Sequence, residues 1–137
     1  MTMAKPMTIF DVAGRAMSAQ LVRMNSSASN LANAGSIAGD ANAVYKPIKP
    51  VFRTELDRST GMMSVSVDRV VRSDAEAIRR HDPDHPLADE NGDVWAAPVD
   101  ETQEMVEMME SARQYQNVIE VLQTTKTLML DTMRLGK

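Results

Sequence analysis

The sequence predicts a mainly α-helical chain with a small β element. A long helix at each end pairs with the other like a coiled coil, and a central extended arm or β-hairpin and a loop region lie between them. Three observations predict it. Near one terminus Phe10, Gly14, Met17, Leu21, Met24, Ala28 and Leu31 step by four and three. Near the other, Met105, Met108, Ala112, Tyr115, Ile119 and Leu122 step by three and four, and the series runs on through Lys126, Met129 and Met133. Alternating steps of three and four place residues along one side of a helix, and a sustained heptad makes that side a seam for another helix. The third observation is the centre, which carries neither stripe and holds Pro47, Pro50, Pro83, Pro86 and Pro98.

The first helix starts at Thr8-Ile9-Phe10-Asp11, a capping box in which the Thr8 hydroxyl accepts from the Asp11 amide while the carboxylate reaches back. It is expected to run to Asn33, because Asn30 and Asn33 tolerate left-handed geometry and Gly35 follows as a stop signal. The small residues from Ala34 to Asn42 read as a flexible link. Val44 to Leu56 contains β-formers, but Pro47 and Pro50 lack amide donors and restrict it to an edge strand or extended arm. Met63, Val65 and Val67 alternate with Ser64 and Ser66 after Thr60-Gly61, the best strand signal, so a small antiparallel hairpin is expected. Ala75 to Arg80 reads as a helical turn that the prolines after His81 stop, and Glu90-Asn91-Gly92-Asp93 as a tight turn. The second helix begins at Asp100-Glu101-Thr102-Gln103, another capping box, with Glu104, Glu107 and Glu110 near its positive end and Arg134 and Lys137 near its negative end. The chain therefore divides into an N-terminal helix (8–33), a centre (34–99) and a C-terminal helix (100–136), the two helices forming one helical domain.

Composition narrows the function. Of 137 residues 4% are aromatic while 12 are Met, so large rigid core side chains are scarce and adaptable ones common. The formal net charge of -4, without a basic block, makes nucleic acid and anionic membrane poor partners. Without Cys there is no thiolate chemistry. Met1 to Met7 lack the apolar run of a cleaved secretory signal, and no stretch is apolar for long enough to span a bilayer. The second helix also carries more apolar residues than one seam needs: Val106, Met109, Val118, Val121, Leu128 and Leu130 fall outside it. Assembly with several partners is expected, and function should reside in helix pairing.

Candidate chemistry is sparse. His81 and His85 sit among Asp82, Asp84, Asp89, Glu90 and Asp93, but Pro83 and Pro86 remove the helix that would align the two imidazoles. An EF-hand register with Gly92 sixth would put Leu87 first and Pro98 last, where carboxylates are needed. A solvated loop is the better reading than a metal site. Ser26, Ser27 and Ser29 lack a nearby histidine and read as helix-face residues, and Asn25-Ser26-Ser27 as a chance glycosylation match. No catalytic, metal or cofactor residue is assigned and no cofactor is expected. Lys126 interrupts the seam, either as a packed stem with a solvated ammonium or as a register-setting charge.

Ala28-Ser29-Asn30-Leu31-Ala32-Asn33-Ala34, closing the first helix, resembles the signature of the bacterial flagellar axial proteins, the rod and hook family. Asp82-Pro83-x-His85-Pro86, Ala88-Asp89-Glu90, Gly92, Pro98, Glu104-Met105-Val106, Ala112-Arg113-Gln114-Tyr115-Gln116, Glu120-Val121-Leu122, Lys126 and Leu135-Gly136 extend the likeness over nearly the whole chain. The resemblance implies a non-enzymatic subunit of the proximal rod, the shaft that crosses the periplasm and transmits torque for motility. It implies type III export without a cleaved signal. Its neighbours would be copies of itself, other rod proteins and, at the rod base, the basal-body adaptor and MS-ring region. The expected assembly interface is Phe10, Met17, Leu21, Met24, Asn30, Leu31 and Asn33 on the first helix and Met105, Met108, Ala112, Tyr115, Ile119, Leu122, Met129 and Met133 on the second. A soluble coiled-coil adaptor is the runner-up, and a metal protein built on the His81 and His85 loop a lesser one.

Overall fold

The computed structural model describes residues 5–136; Lys137, expected at the negative end of the second helix, and residues 1–4 lie outside the described residues. In chain order the elements are α1 (Ile9–Ala32), β1 (Ile37–Ala38), β2 (Ile48–Leu56), β3 (Met63–Arg72), β4 (Ile78–His81), β5 (Asp93–Ala96) and α2 (Glu101–Leu135). Of the described residues 45% are helical and 22% strand, the strands lying in two antiparallel sheets. The fold is therefore α+β, which corrects the expectation of a mainly α chain with a small β element. The excess strand comes from pairings far apart in sequence. β1 pairs with β5 through Ile37 and Ala96, and β4 pairs with β5 on its other edge.

Local chemistry sets the helix ends. Thr8 accepts from the Asp11 amide at 3.2 Å and Asp11 accepts from the Thr8 amide at 2.9 Å, completing the box before α1. At the other end no left-handed asparagine occurs: Asn33 has φ -107, and among the described residues positive φ is confined to Gly61 and Gly92. The helix closes instead through Asn33, whose backbone amide bonds Ser29 and Asn30 carbonyls and whose side-chain amide bonds Ser29 again at 2.9 Å. Asp100 caps α2 by accepting from the Gln103 amide at 3.1 Å, half of the expected box.

The segment expected to be a flexible link is tied down instead, because Ala97 donates to the Ser36 carbonyl and β1 joins the sheet. The hairpin expectation holds at greater length. β2 and β3 pair from Ile48 with Arg72 to Leu56 with Met63, and a bulge between Val51 and Phe52 leaves Asp68 without an opposite residue. A two-stranded sheet has only edges, so Pro50 costs no ladder bond that a third strand would need. Ala75 to Arg80 does not form a helical turn. Ile78, Arg79 and Arg80 are extended against Ala96, Trp95 and Val94, where pairing supplies the bonds that so short a helix before Pro83 would leave open.

Gly92, at φ +77, makes the turn into β5, and a methyl there would lie 3.1 Å from His81 Cε1 and from Pro83 Cγ. Gly92→Ala should therefore lower stability by about 1–2 kcal/mol from the left-handed backbone alone, with more from the contact. A loss of unfolding free energy under about 0.5 kcal/mol, from urea titrations followed by circular dichroism, would contradict this.

The interior is small. Buried hydrophobic side chains among the described residues are alanines and valines, Ala13, Ala19, Val44, Val94 and Ala97, while Ser26, Ser27, Asn30, Ser64, Asp93, Glu104 and Ser111 are buried polar residues. The larger apolar side chains lie outside it.

Candidate assembly interface

Asn30 holds α1, β2 and α2 together. Its side-chain amide donates to the Ile48 carbonyl at 3.0 Å and to Glu104 Oε1 at 3.1 Å, and its oxygen accepts from the Ile48 amide and the Tyr45 hydroxyl, each at 2.8 Å. Two donors and two acceptors are all that an asparagine side chain offers, and all are used at 1% exposure. Asn30 thus spends its side-chain hydrogen bonds within the chain, and the Asn33 side-chain amide is engaged in the cap of α1.

The two helices run antiparallel. Asn30 meets Glu104, Arg23 bonds Glu107 through Nε at 2.9 Å and lies 3.9 Å from Glu110, and Ile9, Val12 and Ala16 share a groove with Val118, Leu122 and Thr125. The less exposed positions of α2 are Glu104, Glu107, Met108, Ser111, Ala112, Tyr115, Val118, Ile119, Leu122 and Thr125, a stripe along one side of the helix. It contains Met108, Ala112, Tyr115, Ile119 and Leu122 of the stripe read from sequence and adds the buried Glu104 and Ser111. Burial on α1 centres on Ala13, Ala19, Ser26, Ser27 and Asn30. At about 100° per residue the stripe of Phe10, Met17, Leu21, Met24 and Leu31 lies roughly a third of a turn away. Phe10 and Leu21 are exposed, and Met17, Met24 and Leu31 half-buried.

On α2, Met105, Met129 and Met133 are exposed, and Met108, Ala112, Tyr115, Ile119 and Leu122 half-buried. Lys126 is exposed, at the point where α1 ends alongside Thr125. From there α2 continues through residues 126–135, about 15 Å without α1 beside it. Glu104, Ser111 and Thr125 were not read as seam positions from sequence, and Val118 was placed outside the seam. The polar types of the first three hide a part of the stripe that Arg23, Asn30 and the alanines of α1 explain.

A second junction ties the hairpin to the start of α1. Asp57 accepts from the Met7 amide at 2.9 Å, and Arg15 bonds Glu55 at 2.7 Å and Ser64 at 3.0 Å. Hydrogen bonds from Ser59, then from the Met7 amide, hold the Asp57 carboxyl well below the usual carboxylate range. The Arg53 hydrogen bond, then those from Arg15 and Ser66, lowers Glu55, and bonds from Thr8 lower Asp11. A carboxyl depressed in the folded chain stabilises it above its unfolded pKa of about 4 and loses that contribution as pH falls through the folded value. Asp57→Asn should therefore flatten the rise of stability with pH on the acid side of about pH 4 and leave the slope near neutrality unchanged. An acid limb identical to wild type in urea titrations would contradict this.

The histidine loop is held by its own chain. His81 Nδ1 lies 2.9 Å from Asp93, which also pairs with Arg79 at 3.2 Å, and His85 Nδ1 accepts from the Leu87 amide. Among the described residues no group of three metal-ligating side chains is gathered, and no helix is long and apolar enough to cross a membrane.

This arrangement can be compared with known proteins. The family model described as flagellar basal body rod FlgEFG protein C-terminal matches residues 90–135, from the Gly92 turn through α2. Flagellar basal-body rod protein FlgC of Salmonella typhimurium is 42% identical over 131 residues, covering 96% of this chain and 98% of that protein. The chain belongs to the FlgC family of flagellar basal-body rod proteins. FlgC of Yersinia enterocolitica is 41% identical over the same shares, and FlgC of Agrobacterium fabrum 31% identical over 92% of this chain and 91% of its own length. As a FlgC-family chain it is a structural subunit of the rod, located in the flagellar basal body and associated with other basal-body components.

Proposed function

We propose that this rod subunit builds the proximal part of the axial drive shaft through its terminal helices and transmits torque there without catalysing a reaction. One observation supports the reading above others: the buried hydrophobic residues are only Ala and Val, beside buried Ser, Asn, Asp and Glu, while Phe10, Leu21, Met105, Met109, Leu128 and Met133 face solvent. Apolar surface of this extent favours association, since each Å² removed from water contributes about 25 cal/mol before association costs. The axial domain then comprises residues 8–33 and 100–136, with 34–99 carried outside it. Its partners are copies of itself and other rod proteins, with the adaptor and MS-ring region at the base and the type III apparatus in transit.

The test is replacement in the bacterium that encodes the chain. Basal bodies purified from it should contain the wild-type protein, and Leu21→Asp, at a position 41% exposed in the subunit, should leave the fold intact yet abolish incorporation and swimming. Full motility of the Leu21→Asp strain would overturn the axial reading.

A further inference from the structure

Glu90-Asn91-Gly92-Asp93, the turn into β5, takes no part in the pairing of α1 with α2. Of the chain's asparagines only Asn91 precedes a glycine. That order matters because a main-chain nitrogen can attack the side-chain amide of the asparagine before it, and a glycine, lacking Cβ, leaves the approach open. Asn91 is exposed, so burial does not shield its amide.

What restrains the pair is a clamp centred on Asp89. The Gly92 amide, whose nitrogen would be the nucleophile, donates to the Asp89 carbonyl at 3.0 Å, and the Asp89 amide donates to the Asp93 carbonyl at 3.0 Å. Asp89 Oδ1 accepts from the Asn91 and Asp93 amides, each at 2.9 Å. The Asp82 amide donates to the Gly92 carbonyl at 2.9 Å and ties the turn to the end of β4. An amide held as a donor in so fixed a turn is not free to lose its proton or to swing onto the preceding side chain. Reaction requires the clamp to open, which local or global unfolding does.

We propose that Asn91–Gly92 is a self-modification site that the Asp89 clamp keeps closed in the folded chain and that unfolding exposes. In the open chain the Gly92 nitrogen bonds to Asn91 Cγ as the Cγ–Nδ2 bond breaks, and Nδ2 leaves as ammonia with the proton that Gly92 gives up. Water then opens the cyclic imide at either carbonyl. Cleavage at Cγ restores the ordinary main chain and leaves an aspartate. Cleavage at the Asn91 main-chain carbonyl routes the chain through Cβ and leaves an isoaspartate, with one extra backbone carbon. Neither product fits as asparagine does. The aspartate adds a negative charge to a loop that already holds Asp82, Asp84, Asp89, Glu90 and Asp93. The isoaspartate lengthens a turn in which Gly92 sits at φ +77, with His81 Cε1 and Pro83 Cγ each 3.1 Å from where a Cβ would stand. Ammonia once lost is not regained, so a chain kept unfolded steadily forfeits molecules able to close the turn.

The experiment ages the full chain in parallel in native buffer and in unfolding guanidinium chloride, both slightly alkaline. Mass spectrometry of the Asn91 peptide, and labelling by an isoaspartate-specific methyltransferase with S-adenosylmethionine, read the conversion. In denaturant Asn91 should convert faster than any other asparagine, and in native buffer at least about tenfold more slowly than in denaturant, because only the open fraction reacts. Asp89→Ala, folded by circular dichroism, should lose most of that protection. If that variant fails to fold, hydrogen exchange at the wild-type Gly92 amide takes its place, and its protection should match that of Asn91. After ageing in denaturant and dilution, the wild type should refold in a yield that falls as isoaspartate accumulates, while Asn91→Gln aged alongside keeps its yield. Equal conversion of Asn91 in the two conditions, full protection in a folded Asp89→Ala chain, an unprotected Gly92 amide, or an Asn91→Gln yield that falls like wild type overturns the proposal.

Discussion

Asn30→Leu should be among the most destabilising single substitutions in the chain, with a loss of about 3–5 kcal/mol or failure to fold. Leucine has the branched outline of asparagine with more volume and none of its four hydrogen bonds, so the Ile48 amide and carbonyl and Glu104 Oε1 lose this partner together, and the Tyr45 hydroxyl keeps only Ser29. Each buried polar group left unsatisfied costs about 1–3 kcal/mol, against a total stability of about 5–15 for a domain. Water cannot replace the amide at a site 1% exposed without opening the α1, β2 and α2 junction. Asn30→Asp separates the donor and acceptor roles: the carboxylate still accepts from Ile48 and Tyr45, but cannot donate and faces the Glu104 carboxylate. It should be less damaging at a pH low enough to protonate one of the two acids. Urea unfolding followed by far-UV circular dichroism decides this, and a loss below about 1 kcal/mol for Asn30→Leu would show that the junction relaxes around the leucine.

Asn30 also shows what was legible in the sequence and what was not. Its place in Ala28-Ser29-Asn30-Leu31-Ala32-Asn33 marked it as special, and its side-chain chemistry was plain. That its partners are Ile48 and Glu104 was hidden, because they lie 18 and 74 residues away. The same division runs through the fold. Features written in a few adjacent residues were read correctly: the Thr8 and Asp11 box, the Gly92 turn, the alternation from Met63 to Val67, and the start of α2 at Asp100. Features that depend on distant partners were missed. Ile78 to His81 has no alternating pattern and becomes a strand only because Asp93 to Ala96 is available, and Ile37 with Ala38 is held by the other edge of that strand. Those two pairings turn a mainly helical expectation into an α+β fold.

On α1 the helix was legible in period but not in phase, whereas on α2 the stripe from Met108 to Leu122 is half-buried. Methionines and leucines drew the sequence-based stripe, on the premise that the largest apolar residues mark the buried side. Inside the subunit the buried helix positions are instead small or polar, Ala13, Ala19, Ser26, Ser27, Asn30, Glu104 and Ser111, with Arg23 bonded to Glu107 at the edge. Small residues permit near contact and leave the larger ones outside. A stripe of large side chains displaced from the subunit's own seam is what a chain needs if it is to pack once within itself and again with others.

Met133→Asp should leave the isolated subunit as stable as wild type, within about 0.5 kcal/mol, and remove it from the rod. The two halves of this expectation come from one geometric fact. α2 passes α1 at Thr125, and the residues beyond it are exposed in the subunit: Leu128 61%, Met129 49%, Leu130 45%, Met133 70% and Leu135 87%. A carboxylate at Met133 therefore costs nothing in the free chain. Within a helical bundle the same carboxylate must leave water beside apolar side chains, at a cost of several kcal/mol, and about 4 kcal/mol weakens binding roughly a thousandfold. Leu130→Asp, off the cleft that Thr125, Leu128, Met129 and Met133 line, separates two ways of burying it. If both substitutions abolish incorporation, the overhang is enclosed on more than one side. If only Met133→Asp does so, the partner lies along the cleft of Thr125, Met129 and Met133, which continues the groove between α1 and α2. Quantifying each variant in purified basal bodies, alongside urea midpoints of the free chains, gives both halves at once. Wild-type occupancy for the two Asp variants would show that the end of α2 stays in water in the assembled shaft.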